Sequence, residues 1–173
     1  MTHNRSFRPA DNLIVRFLLI LLFMLSVSGL HAQSPTDFSG QWTFDISKSK
    51  PGEGGTFGSS DITHNISQDL SSITIEEIIG KEGVPIVDKF DLDGKETIEK
   101  KDYGTTKKSA VWSQDKKTLT LTTIMTIDGK DYRSDDLYKL SDNGLVLTVQ
   151  SVSKIPTGES TTVWVYNRKK NQN

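Results

Sequence analysis

Few side chains in this sequence are equipped for chemistry, and those that are share a simple spacing. His64 stands between Ile62 and Ile66, Glu77 follows Ile73 and Ile75, Asp88 separates Ile86 from Phe90, and Asp136 precedes Tyr138 and Leu140, always in steps of two. A period of two places such residues on one face of a strand, together with their apolar neighbours. An imidazole paired with a carboxylate is the arrangement of a general base, so His64 with Glu77 or Asp88 would suit a hydrolase or isomerase if the groups met. No Ser and Asp stand at a spacing that completes a nucleophilic arrangement. No catalytic residue is therefore assigned, and the chain is expected to be a non-enzyme.

Bare carboxylates are costly to bury in a filled core. Their inward positions, with Gln68, mean that either the strand register is shifted there or the interior is partly wet, and a wet or partly empty interior is the reading adopted. The residues expected to line such a cavity are His64, Glu77, Asp88, Phe90, Trp112, Met125, Tyr132 and Tyr138. The aromatic members of that set serve equally well as ordinary core. No metal site and no cofactor are expected. The sequence has no Cys and only three His. Asp88, Asp91 and Asp93 miss the spacing of a calcium loop, and no Glu closes it. Asn65-Ile-Ser67 matches a glycosylation acceptor but lies inside an expected strand.

The elements that hold these residues begin after a leader. Arg5, Arg8 and Arg16 precede an apolar run from Phe17 to Leu25, and then come Ser26, Ser28, Gly29 and Ala32. This is the pattern of a secretory signal peptide cleaved near Ala32, and the run is too short for the ~20 residues that span a bilayer. Residues 1–32 are read as the signal peptide and 33–173 as one barrel domain, secreted or periplasmic. No Cys follows the run, so a lipid anchor is excluded, and no disulfide supports the fold. The 21 Lys and Arg are interleaved with 22 Asp and Glu. There is no basic tract for nucleic acid. The outward faces carry Lys, Glu, Thr and Ser, unlike a barrel embedded in lipid.

From Phe38 to Ile46 the chain alternates, with Trp42, Phe44 and Ile46 on one side. Ser47–Ser60 has no apolar period and is expected to be a loop, not a helix pair. From Asp61 onward alternation is nearly continuous, including Leu70, Val84 and Leu92 on inward faces. Asp93-Gly94, Asp128-Gly129 and Asn143-Gly144 mark hairpins. Eight to ten antiparallel strands follow one another with no convincing helix. Pairing the first strand with the last would remove both exposed edges of this long meander. The fold class is therefore all-β, a closed antiparallel up-and-down barrel.

Phe38-Ser-Gly40-Gln-Trp42, the Lys-bearing tail Ser47–Lys50, the repeated polar hairpins and the closing Val163–Arg168 resemble the lipocalin (calycin) superfamily. More narrowly, the chain is similar to small secreted lipocalin-like domains of bacteria. The resemblance implies that Gly40 and Trp42 lie at the closed end of the barrel, with Arg168 packed over the indole. Stacking a guanidinium on an indole stabilises by ~0.5–2 kcal/mol and joins the strands whose meeting closes the cylinder. The ligand expected on this basis is a small, largely apolar molecule. The alternative is a filled barrel acting as an interaction scaffold that binds through loops such as Ser47–Ser60. No protein partner is assigned.

Overall fold

The computed structural model describes residues 34–169; the expected signal peptide and its cleavage site lie outside the described residues. Ten strands follow in order: β1 (Gly40–Phe44), β2 (Ile62–Gln68), β3 (Ser72–Ile79), β4 (Ile86–Asp91), β5 (Thr97–Lys101), β6 (Gly104–Trp112), β7 (Thr118–Ile127), β8 (Lys130–Leu140), β9 (Val146–Ile155) and β10 (Gly158–Arg168). All pair antiparallel with their sequence neighbours except β4 and β5, and β1 pairs with β10. The molecule is an all-β, up-and-down barrel that is nearly closed. No helix occurs among the described residues, and none there is long and apolar enough to cross a membrane.

Alternation does what the sequence pattern demands. Ile62, His64 and Ile66 of β2 are buried, as are Ile73 and Ile75 of β3, Leu119 and Leu121 of β7, and Leu147 and Val149 of β9. The β7–β8 hairpin turns at Asp128-Gly129, where both residues have positive φ (50° and 72°). That is the backbone a two-residue hairpin with native twist requires, and Gly adopts it at no steric cost.

The two ends of the chain meet as expected. Trp42 lies opposite Arg168, Thr43 opposite Asn167 and Phe44 opposite Tyr166. The Arg168 guanidinium carbon sits 4.2 Å from the centre of the Trp42 ring. Its Nη1 donates to the Ser39 carbonyl at 2.7 Å and its Nε to the Gly144 carbonyl at 2.9 Å. Gly40 makes this possible. A Cβ there would stand 2.5 Å from Arg168 Nη1, and its φ of +138° disfavours any other residue.

Closure does not remove every edge. The unpaired edges lie at β4 and β5, mid-chain, and not at the termini. The physical reason is β5 itself, a five-residue strand rich in Glu and Lys and almost wholly exposed, which has little apolar surface with which to dock. Charge and shortness also protect such an edge from pairing with another chain. Across the gap, Lys108 of β6 reaches Asp88 of β4 at 2.6 Å and lies 5.5 Å from the Phe90 ring centre.

Several apolar residues expected inside are outside. Leu70 is 98% exposed, because β2 ends at Gln68 and Leu70 sits in the turn. Val84 precedes β4 and is exposed, and Ile46 lies beyond the end of β1.

Candidate functional site

Aromatic rings stopper the Trp42 end of the cylinder and cluster beside β10 toward the other end. At the Trp42 end, the segment before β1 crosses the barrel, held by Thr36 N donating to the Lys116 carbonyl and by Gln68, which accepts from Phe38 N at 3.1 Å. Phe38 is thereby driven fully inside, stacked on Trp112 at 5.9 Å and edge-on to Tyr138 at 5.9 Å. The Trp42 indole donates to the Phe38 carbonyl at 3.0 Å. At the other end the Ser47–Ser60 loop, helix-free as expected, runs beside β10. Lys50 makes a bridge to Val163, and Gly52 N donates to Thr162 Oγ1 at 3.2 Å. Phe57 from this loop packs on Trp164 at 4.9 Å and on Phe44 at 5.1 Å.

Beyond the Trp42 end lies a cavity of about 220 Å³, the candidate site, which opens to solvent past the half-exposed Ile86 and Asp88. Its apolar wall is Ile75, Ile86, Phe90, Leu121, Val149 and Trp164; its polar wall is His64, Glu77, Asp88, Thr123, Asp136, Tyr138 and Ser151. The barrel is filled at the Trp42 end and becomes hydrophilic above it. Cross-strand register explains the change, since Leu119–Tyr138–Val149 form one inward row and Leu121–Asp136–Ser151 the next. A larger hollow of about 570 Å³ lies near Trp112, Gln68 and the exposed Leu70. It lies at the Trp42 end among the exposed Asp37, Asp69 and Leu70 and gathers no buried titratable group, so the smaller cavity is the better candidate.

Of the eight residues expected to line the cavity, His64, Glu77, Asp88, Phe90 and Tyr138 do so. Trp112 does not, because it stacks on Phe38 at the stoppered end. Met125, 40% exposed, and Tyr132 face each other across β7 and β8 near the rim. That hairpin is ten and eleven residues long, whereas β1 and β4 have five and six, so its tip rises past the opposite wall. Thr123, Ser151 and Trp164 were not anticipated. Each continues an inward alternation, through Leu119 and Leu121, Leu147 and Val149, and Tyr166 respectively.

The polar groups form separate pairs. His64 Nε2 lies 3.0 Å from Glu77 Oε2 and 3.3 Å from the Tyr166 hydroxyl. An ionised carboxylate only accepts, so Nε2 carries the hydrogen and donates to Glu77. His64 Nδ1 is buried without a partner among the described residues. A general base needs one ring nitrogen held and the other turned toward the reactant. Here Glu77 and Tyr166 share the same nitrogen and the other is sealed in the wall. The expected approach of His64 to a carboxylate is real, but the pair does not present a base to the cavity. Asp88 instead serves Lys108.

Asp136 differs from both. Its Oδ1 accepts from Ser134 Oγ at 3.0 Å, and no cation pairs with it among the described residues. Burial pushes its carboxyl above the usual carboxylate range, against the lowering effect of the Ser151 and Ser134 hydroxyls. Burial likewise raises the phenols of Tyr138 and Tyr166, which stay protonated. Among the described residues no group of three or more His, Asp and Glu is arranged to hold a metal ion.

Ten antiparallel strands joined in sequence order, zipped at their termini and hollow in the middle, define a β-barrel of the lipocalin-like kind. No protein-family model matches the chain, and no curated protein matches it. Solved structures do. The chain is similar to an abundant heat soluble (SAHS) protein of Ramazzottius varieornatus, at 12% identity over 79% of this chain and 98% of that one, with a TM-score of 0.53. Zebrafish ileal bile acid-binding protein complexed with cholic acid aligns at 15% identity over 76% of this chain and 98% of its own, with a TM-score of 0.49. A fatty acid transporter variant, REP1-NXSQ, aligns at 14% identity over 77% and 98%, with a TM-score of 0.48. At 12% identity the likeness to the SAHS protein is one of fold alone.

Proposed function

We propose that this protein is a carrier barrel that encloses one small, largely apolar molecule, and that it works outside the cytoplasm as a secreted bacterial domain. The cavity supports the first part. A space of about 220 Å³ remains in a barrel whose Trp42 end is filled to zero exposure at Phe38 and Trp42. An apolar cavity of ~150 Å³ accommodates a benzene molecule, so this one suits a single ring with a short substituent. The apolar wall supplies contact area, and a few convergent polar groups supply orientation. The leader pattern of residues 1–32 is the support for export.

The scaffold alternative has less behind it. A filled barrel would leave no such chamber, and the Ser47–Ser60 loop is pinned inward by Phe57 and by its bridge to β10. The discriminating experiment uses Thr123→Phe, which puts a ring into the chamber from the middle of β7. Uptake of toluene, followed by ligand-observed NMR, is expected to fall at least tenfold in the variant while its circular dichroism stays that of a β-barrel. Equal uptake by the variant, or none by the parent protein at millimolar toluene, overturns the carrier reading.

A further inference from the structure

The charges around the cavity restrict what can enter it. Three carboxylates line the chamber, those of Glu77, Asp88 and Asp136, and no Lys or Arg does. Glu77 holds the His64 ring at 3.0 Å, and Asp88 is engaged at 2.6 Å by Lys108, a largely buried side chain on the inward face of β6. Asp136 has only hydroxyl partners. A buried carboxylate without a cation is costly in the empty protein. An incoming cation relieves that cost, whereas an incoming carboxylate set beside Asp136 meets like charge, the Lys108 ammonium being already taken by Asp88. Phe90, Tyr138 and Trp164 complete the lining with π faces, which favour a cation and its attached carbons.

Resting on the carrier reading, we infer that the ligand is a small organic cation, a protonated amine on a ring-sized apolar body, with its ammonium group seated on Asp136 between the Ser151 hydroxyl and the aromatic wall. The apolar body then occupies the space beside Ile75, Leu121 and Val149. An anionic head group is disfavoured at Asp136 by like charge.

Three probes of nearly equal shape separate this inference from the reading beneath it: 2-phenylethylammonium, 2-phenylethanol and phenylacetate. Their binding to the full chain is measured at neutral pH by calorimetry and ligand-observed NMR. The ammonium probe is expected to bind about 10- to 100-fold more tightly than the alcohol, the value of a hydrogen bond to a charged partner. Phenylacetate is expected not to bind detectably. Alcohol binding as tight as the amine, or measurable phenylacetate binding, overturns the cationic assignment and leaves the carrier reading standing. No binding by any of the three overturns both. Asp136→Asn should bring the amine down to the affinity that the alcohol has for the same variant. Retained preference in that variant removes Asp136 as the anchor. The comparison of probes on the parent protein decides the charge class even if the variant fails to fold.

Discussion

Arg168→Ala and Gly40→Ala, made singly and together, test how the barrel is zipped. The alanine at 168 removes a guanidinium 4.2 Å from the Trp42 ring centre and two donors to the Ser39 and Gly144 carbonyls. The cation–π contact contributes ~1 kcal/mol. The two carbonyls are half-buried and regain water, so each lost bond costs about 1 kcal/mol net. The loss should total about 3 kcal/mol, a large share of the ~5–15 kcal/mol that holds a domain together. Gly40→Ala carries two costs: backbone strain at φ +138°, ~1–3 kcal/mol, and a Cβ that displaces Arg168 Nη1 from Ser39. The second cost disappears once Arg168 is gone. The double variant should therefore be less destabilised than the sum of the singles, by roughly 1–2 kcal/mol. Urea unfolding followed by tryptophan fluorescence measures all four corners of the cycle, with constant slope as the check on two-state behaviour. Additivity within about 0.5 kcal/mol would refute the view that Gly40 exists to let the arginine through.

Two further outcomes follow from the site. Asp136→Asn should stabilise the ligand-free protein at neutral pH. Burial raises the Asp136 carboxyl in the folded state, with Asp135 and Asp88 adding to the rise and Ser151 and Ser134 opposing it. The folded protein therefore holds that proton more tightly than the unfolded chain, and stability falls as pH rises from the ordinary carboxylate value of about 3.9 through the raised one. Denaturation midpoints should show the variant's advantage growing across that window and constant above it; an advantage that grows toward acid would contradict the assignment. Phe57→Ala should cost about 1–2 kcal/mol, less than a fully buried Phe, and should speed toluene exchange measured by NMR line shape. Unchanged exchange would mean the ring does not stopper the chamber.

The barrel was legible because one face of nearly every strand is buried, so a period of two appears directly in the residues. Closure was legible from the edges a long meander would expose, and the residues that make it, Gly40, Trp42 and Arg168, from the resemblance to lipocalins. The gap was not. Glu96–Lys101 reads as a weak strand, but whether a weak strand pairs on both sides depends on apolar area that only the assembled sheet reveals. The same limit explains Met125 and Tyr132. Alternation reports a face, not a height, and a face that is core at Leu119 is rim by Met125.

The site followed a similar division. His64, Glu77 and Asp88 were recognisable as polar residues on apolar faces, but their partners were not. Nothing local shows that Asp88 will be taken by Lys108, twenty residues away across an unpaired gap, or that Glu77 will be spent on orienting His64. What the assembled barrel adds is a subtraction. Once Asp88 is matched to Lys108 and Glu77 to His64, Asp136 is the cavity carboxylate that remains, facing a space large enough for a ring and walled by Phe90, Tyr138 and Trp164. A leucine at this position would continue the row begun by Leu121 and would stabilise an empty barrel by its apolar burial. A carboxylate there does the reverse until something positive arrives, so the residue that weakens the ligand-free fold is the one that best defines the ligand.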